Sequence, residues 1–304
     1  MSRLTANILL CCAALVWGGT FVAQKTGMDT IGPMAFTASR YAMGAMFLLP
    51  LAFIESRKIS LWDAIHGDRS LTVGSLALGL LMFGGMALQQ TALVFTSVAN
   101  TAFLTALYVP LVPLIAALFL RRIVSLNVWA AVILSFLGSF LLSGTSASSA
   151  QLGDVLTTIG AFFWAGHILL AQSLMTKINA PFQFSLIQAS VTAFCAAGAM
   201  LLFEMPSVAD FLPAWRQIMF AGVVSVGIGF TLQLVAQRHT TAAAAALILS
   251  LESVFAAIFG WLLIDETLGL IAMTGCGFIF LAIIIAEVVP ESGFKQIFRF
   301  LRKS

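Results

Sequence analysis

The chain has 304 residues, 61% of them hydrophobic and 9% charged, with a mean hydropathy of +1.04. Soluble domains carry about 25% charged residues, so this composition excludes an ordinary soluble protein. The formal net charge of +3 excludes nothing as a total, because in a membrane protein the distribution of basic residues carries the information.

Ten apolar runs follow one another at 7–25, 31–54, 71–91, 98–120, 124–143, 152–175, 181–203, 215–236, 241–264 and 268–289. Each approaches or exceeds the ~20 residues that cross a hydrocarbon core. The sequence therefore predicts an all-α polytopic membrane protein with ten transmembrane helices. The first run follows Arg3 closely and has no convincing cleavage site, so it is expected to be a helix and not a signal peptide. Most connections are short, which suits antiparallel neighbours. The two longest, 56–70 and 205–216, each place a Trp among charges (Trp62, Trp215), as expected at a membrane interface.

A linker rich in Gly, Ser and Ala, GTSASSAQLGD at 144–154, divides the chain. The expected units are 1–146 and 147–290, of five helices each, and a basic tail at 291–304. VWGGTFVAQK at 16–25 is answered by FWAGHILLAQ at 163–172, and the stretch 88–122 by the one ending at Glu266. Five helices per copy is an odd number, so the second copy is inserted upside down. Inverted repeats of this kind are the architecture of secondary transporters, with the site between the halves near the midplane.

Topology orients the charges. With the N-terminus inside, Arg3, Arg57, Lys58, Arg69, Arg121, Arg122, Lys177, Arg238, Lys295, Arg299, Arg302 and Lys303 fall on the cytoplasmic side. Lys25 and Arg216 fall outside, and Arg40 lies within the second helix. This bias places both termini in the cytoplasm; the expected location is a bacterial inner membrane. Lys25 and Asp29 are read as solvated charges at the outer surface.

Polar residues inside the spans are candidates for a cavity. Trp17, Phe21 and Gln24 share one helical face, as do Trp164 and His167 in the second half. Gln89, Gln90, Gln233 and Gln237 are buried amides that need partners, either another helix or a solute. Tyr108 follows Asn100, Thr101 and Thr105 along the fourth run, where Pro110 and Pro113 predict a kink or broken turn. Glu252 sits mid-depth in TAAAAALILSLESVFAAIFGWLLIDE, where it either couples transport to a proton or bonds across helices. Arg40 lies deep in its helix and either attracts an anionic group, pairs with an acid or snorkels outward. Each of these residues also has a packing role open to it.

Cys11, Cys12, Cys195 and Cys276 lie in apolar runs without metal-ligand spacing. No phosphate loop, metal motif or nucleophile arrangement is present, so no enzyme, cofactor, metal or nucleic-acid partner is expected.

WGGTFVAQK, followed by a proline and Arg40 in the second helix, and the closing LESVFAAIFGWLLIDETLGLIAMTGCGFIFLAI resemble the two-repeat EamA pattern of the drug/metabolite transporter superfamily. Glu252–Ser253 stands where that family commonly has Glu-Pro, and Asp265–Glu266 where an acid closes the ninth helix. Arg121–Arg122 departs from this in the first half. Within the family the sequence is most similar to YddG-type amino acid exporters. The resemblance implies a central cavity between inverted repeats and loose export of aromatic and other neutral amino acids. It also implies a substrate path along Trp17, Tyr108, Trp164 and His167. The expected function is facilitative export of amino acids or related small metabolites by alternating access, with a single chain sufficing. A proton-coupled drug or metabolite antiporter using Glu252 and a non-transporting membrane scaffold are the alternatives.

Overall fold

The structure is a computed structural model, which describes residues 1–121, 123–143, 152–267 and 269–288. Most of the linker and the basic tail expected from the sequence lie outside these residues. Every regular element among them is helical. The first half contains α1 (Arg3–Gly27), α2 (Pro33–Ser56), a short surface helix α3 (Leu61–Gly67), α4 (Arg69–Ala92), α5 (Val98–Thr105), α6 (Tyr108–Leu118) and α7 (Leu126–Ser143). There follow α8 (Leu152–Lys177), α9 (Pro181–Phe203), α10 (Trp215–Met219), a π-helical segment Phe220–Gly229, α11 (Phe230–Gln237), α12 (Ala242–Leu249), α13 (Leu251–Ile264) and α14 (Leu270–Val288).

Eight spans among the described residues are long and apolar enough to cross a membrane. In this reckoning α5 with α6, α10 with α11, and α12 with α13 each form one span, while Leu126–Leu142 and Leu270–Ala286 are shorter apolar helices. The polarity is that of a lipid-embedded bundle. Leu80, Ile133, Phe194 and Ile284 are exposed, whereas Arg40, Gln90, Gln188 and Ser253 are buried. Trp62 and Trp215 are exposed beside helix ends.

The two broken spans repeat one design. Ser97 caps α5 by accepting from Asn100 N, and Thr241 caps α12 by accepting from Ala244 N. The first break falls at Ala106–Leu107 and the second at Ser250, after helical segments of eight residues in each case. The sequence placed the interruption at Pro110 and Pro113; it lies one turn earlier, and α6 accommodates Pro113 inside a regular helix. Tyr108 and Glu252 consequently hold the same place, each eleven residues after its cap.

A second recurrence ties α2 to α9, which pack side by side. Both begin with proline, whose missing N–H is no loss at a first helical position, and neither has a side-chain cap in its own preceding loop. Instead Glu204, just past the end of α9, accepts from Met34 N at 2.8 Å and Ala35 N at 2.7 Å at the start of α2. Glu55, near the end of α2, accepts from Phe182 N at 3.4 Å and Gln183 N at 2.9 Å at the start of α9. Each carboxylate meets the positive end of the other helix, so the antiparallel pair is capped at both ends.

The other spans are tied at their ends in a related way. Lys25 Nζ bonds Leu93 O at 2.5 Å and Thr96 O at 3.2 Å, closing the carbonyl end of α4. It is therefore a helix-end ligand and not the solvated charge expected from the sequence. Gln172 Nε2 reaches Thr240 O at 2.7 Å in the second half. Glu266 Oε1 accepts from Val98 N at 3.1 Å, at the start of α5.

Candidate functional site

At the centre of the bundle a narrow cavity is enclosed by α1, α2, α4, α5, α6, α8, the π-helical segment, α11, α12 and α13. The space in which a water molecule can be centred is about 40 Å³. At roughly 10–15 Å³ per water, that is room for about three waters.

Aromatic rings form one wall, and Phe230 is their hub. Its centroid lies 4.6 Å from Trp17, 6.1 Å from Trp164 and 6.1 Å from His167, with the Trp164 ring stacked at 10°. Tyr41 closes the group at 6.5 Å. Phe230 stands where the π-helical segment returns to α-helix, a distortion that re-aims the residues beyond it. Nothing in an apolar run marks Phe230 out. The one signal available was its position three residues before Gln233, on the same helical face.

The two tryptophans are seated on glycines of the other half's helices. A Cβ at Gly229 would lie 2.8 Å from Trp17 Nε1, and one at Gly85 would lie 2.9 Å from Trp164 Cε2. Glycine is required at both points, because any side chain would displace an indole from the wall.

Of the residues singled out from the sequence, Trp17, Gln24, Arg40, Gln89, Tyr108, Trp164, Gln233 and Glu252 all line this cavity. His167 stands one layer behind, fully buried, with Nε2 2.9 Å from Gln188 Oε1 and its ring edge on Phe230. Gln90 and Gln237 do not line it and bond across helices, to Gln24 O at 3.2 Å and Ile168 O at 3.1 Å. Phe21 and Thr105, which share their runs with Trp17 and Tyr108, line it as well, and Thr20, Met86, Ile168, Ser225 and Leu249 complete the wall without a distinguishing pattern in the sequence.

The charges of the cavity are few and uncompensated. The Arg40 guanidinium is 1% exposed and rests between the rings of Phe36 and Tyr41, at 5.5 and 5.1 Å. It contacts Met86 Sδ and donates to Gln90 Oε1 at 3.3 Å, while its Nε has no partner. No carboxylate among the described residues pairs with it. Glu252 is the one carboxylate on the cavity wall. It faces the hydroxyl of Tyr108, close enough to interact but short of a formed hydrogen bond, since Tyr108 Oη and Glu252 Oε1 are both without partners. Gln24 Oε1, Thr105 Oγ1, Trp17 Nε1 and Gln233 Oε1 are also buried and unbonded around the same space. Buried polar atoms are ordinarily paired, so a cluster of unpaired ones around a cavity marks groups directed at its contents. Among the described residues no group of His, Cys, Asp or Glu could hold a metal ion.

A bundle of membrane-length helices around a largely apolar, aromatic-walled cavity with a few unpaired polar groups fits a membrane transporter. Known proteins agree. The EamA-like transporter family model matches residues 4–144 and again 151–287, and the chain belongs to that family. An uncharacterized transporter of Archaeoglobus fulgidus is 28% identical over 288 residues, covering 95% of this chain and 87% of its own. The uncharacterized transporter YoaV of Bacillus subtilis is 24% identical, covering 83% and 86%. One solved chain superposes with a TM-score of 0.77 over 95% of this chain and 98% of its own, at 18% identity, which is a likeness of fold.

Proposed function

We propose that this protein is a secondary transporter of the bacterial inner membrane that exports amino acids, aromatic and other neutral ones with loose specificity, or related small metabolites. In this reading ten spans form two inverted five-helix halves, 1–146 and 147–290, with both termini cytoplasmic, and a single chain suffices. The observation that carries the reading is the pairing of opposite charges on one apolar cavity. Arg40 offers a buried cation without a carboxylate, and Glu252 offers a carboxylate without a cation. A zwitterion supplies the missing partner to each, with its carboxylate on Arg40 and its ammonium on Glu252, while Phe230, Trp17 and Trp164 pack its side chain. His167 acts behind them by holding Phe230.

The cavity as it stands has room for only a few waters, so an amino acid enters only when the walls separate. The broken spans, α5–α6 and α12–α13, supply the joints for such a motion, and alternating access between the two faces follows. Transport is expected to be facilitative. The position of Glu252 opposite Tyr108 favours one second reading, in which Glu252 binds a proton in exchange for solute.

A proteoliposome flux screen with labelled amino acids and metabolites, run with and without a pH gradient, tests both. Equilibration of neutral amino acids independent of the gradient supports the first reading. Uphill movement driven by the gradient and lost in Glu252→Gln supports the second. No flux of any solute would return the protein to the scaffold alternative.

A further inference from the structure

The two tryptophan seats are built alike but finished differently. Trp164 lies over Gly85, and its Nε1–H donates to Oε1 of Gln89, four residues past that glycine, at 3.1 Å. Trp17 lies over Gly229, and Gln233 again stands four residues past the glycine. Here the bond is not made. Trp17 Nε1 and Gln233 Oε1 are both buried without a partner, although Gln233 is only 1% exposed. Both residues line the central cavity.

Leaving a donor and an acceptor unbonded in a protein interior is costly, and the twin seat demonstrates that this fold can close the pair. Maintaining it open has a physical use only if something else takes both bonds. Resting on the transport reading above, we infer that Trp17 and Gln233 read the polar head of the solute, while Trp164 and Gln89 are their structural counterpart. Trp17 Nε1–H donates to an acceptor on the solute, and Gln233 Oε1 accepts from a donor beside it. An α-amino acid presents such a pair, a carboxylate oxygen and an ammonium hydrogen on adjoining groups. Trp17 thus assists Arg40 at the anionic end, and Gln233 assists Glu252 at the cationic end. Selectivity for a donor next to an acceptor then comes from one of the two tryptophan seats only.

The test uses the full-length protein in proteoliposomes with labelled phenylalanine as the probe, and melting in detergent as the measure of folding. Trp17→Phe keeps a ring on Gly229 and removes only the donor; Gln233→Met keeps the length and removes the acceptor. Each is expected to raise KM about tenfold with an unchanged melting temperature, the size of a lost hydrogen bond to a charged group. Trp164→Phe, which keeps a ring on the cavity wall, and Gln89→Met are expected to lower the melting temperature and to raise KM by clearly less than the first pair. Phenylethylamine, which lacks the carboxylate, is expected to be carried equally by wild type and Trp17→Phe. Should Trp17→Phe fail to fold, Gln233→Met interrogates the same pair from its other side. Unchanged KM in both, or an equal rise in Trp164→Phe, overturns the inference while leaving transport intact. Absence of phenylalanine flux in the wild type removes the transport reading and this inference with it.

Discussion

The ends of the helices and the centre of the bundle treat polar groups in opposite ways. At the ends, Glu55, Glu204, Glu266, Lys25 and Gln172 each find backbone partners on a different helix, so exposed helix termini are bonded across the molecule. At the centre, Arg40, Glu252, Tyr108, Trp17 and Gln233 keep atoms without a protein partner around a cavity with room for only a few waters. The difference separates two tasks. Polar groups at the ends fix which helix lies beside which, and polar groups at the centre are held ready for a solute.

Substitutions can break this contrast. The largest effect on stability is expected from Glu204→Ala and Glu55→Ala, since each removes two bonds from a carboxylate to a helix N-terminus. A cost of about 3 kcal/mol apiece follows from roughly 1.5–3 kcal/mol per hydrogen bond to a charged group. Chemical denaturation in mixed micelles would measure it, and the surviving folded protein should transport with unaltered KM. Lys25→Met should cost about 1–2 kcal/mol by uncapping the carbonyl end of α4 in the same assay, again without a change in KM. Glu252→Gln should change stability least, by about 0.5 kcal/mol or less, because an amide fits the same space without burying a charge. It should nonetheless lower flux of zwitterionic solutes by about tenfold in proteoliposomes. A central substitution that destabilises as much as Glu204→Ala without touching flux would erase the distinction.

Much of the fold was legible because a bilayer imposes it. Run length gave eight of the ten expected spans as membrane-length helices and the other two as shorter apolar ones, and the recurrence of VWGGTFVAQK in FWAGHILLAQ drew attention to Trp17 and Trp164. Intramembrane polarity gave the polar part of the cavity wall, since Arg40, Glu252, Gln89 and Gln233 are costly residues at depth without a partner or a purpose. What stayed hidden depends on partners distant in the chain. The cap of α2 is Glu204, separated from it by about 170 residues, and local sequence around Pro33 says only that no neighbour caps it. Lys25 looked like a solvated charge for the same reason. Phe230 was hidden differently, as one apolar residue among many whose importance comes from four rings converging on it. The register of the two broken spans was hidden too, because it rests on the caps at Ser97 and Thr241, which set Glu252 against the hydroxyl-bearing Tyr108 of the first half.

The central claim is that Arg40 is kept buried and unpaired for the carboxylate of a solute. Labelled phenylalanine flux through proteoliposomes containing Arg40→Met tests it most directly, with melting temperature as the control. Replacing an unpaired buried charge by an apolar side chain of similar length should leave the protein as stable or more so. The account predicts that flux of phenylalanine falls at least about tenfold in that stable variant, while phenylethylamine, without a carboxylate, passes as before. Equal phenylalanine flux through wild type and Arg40→Met would contradict it.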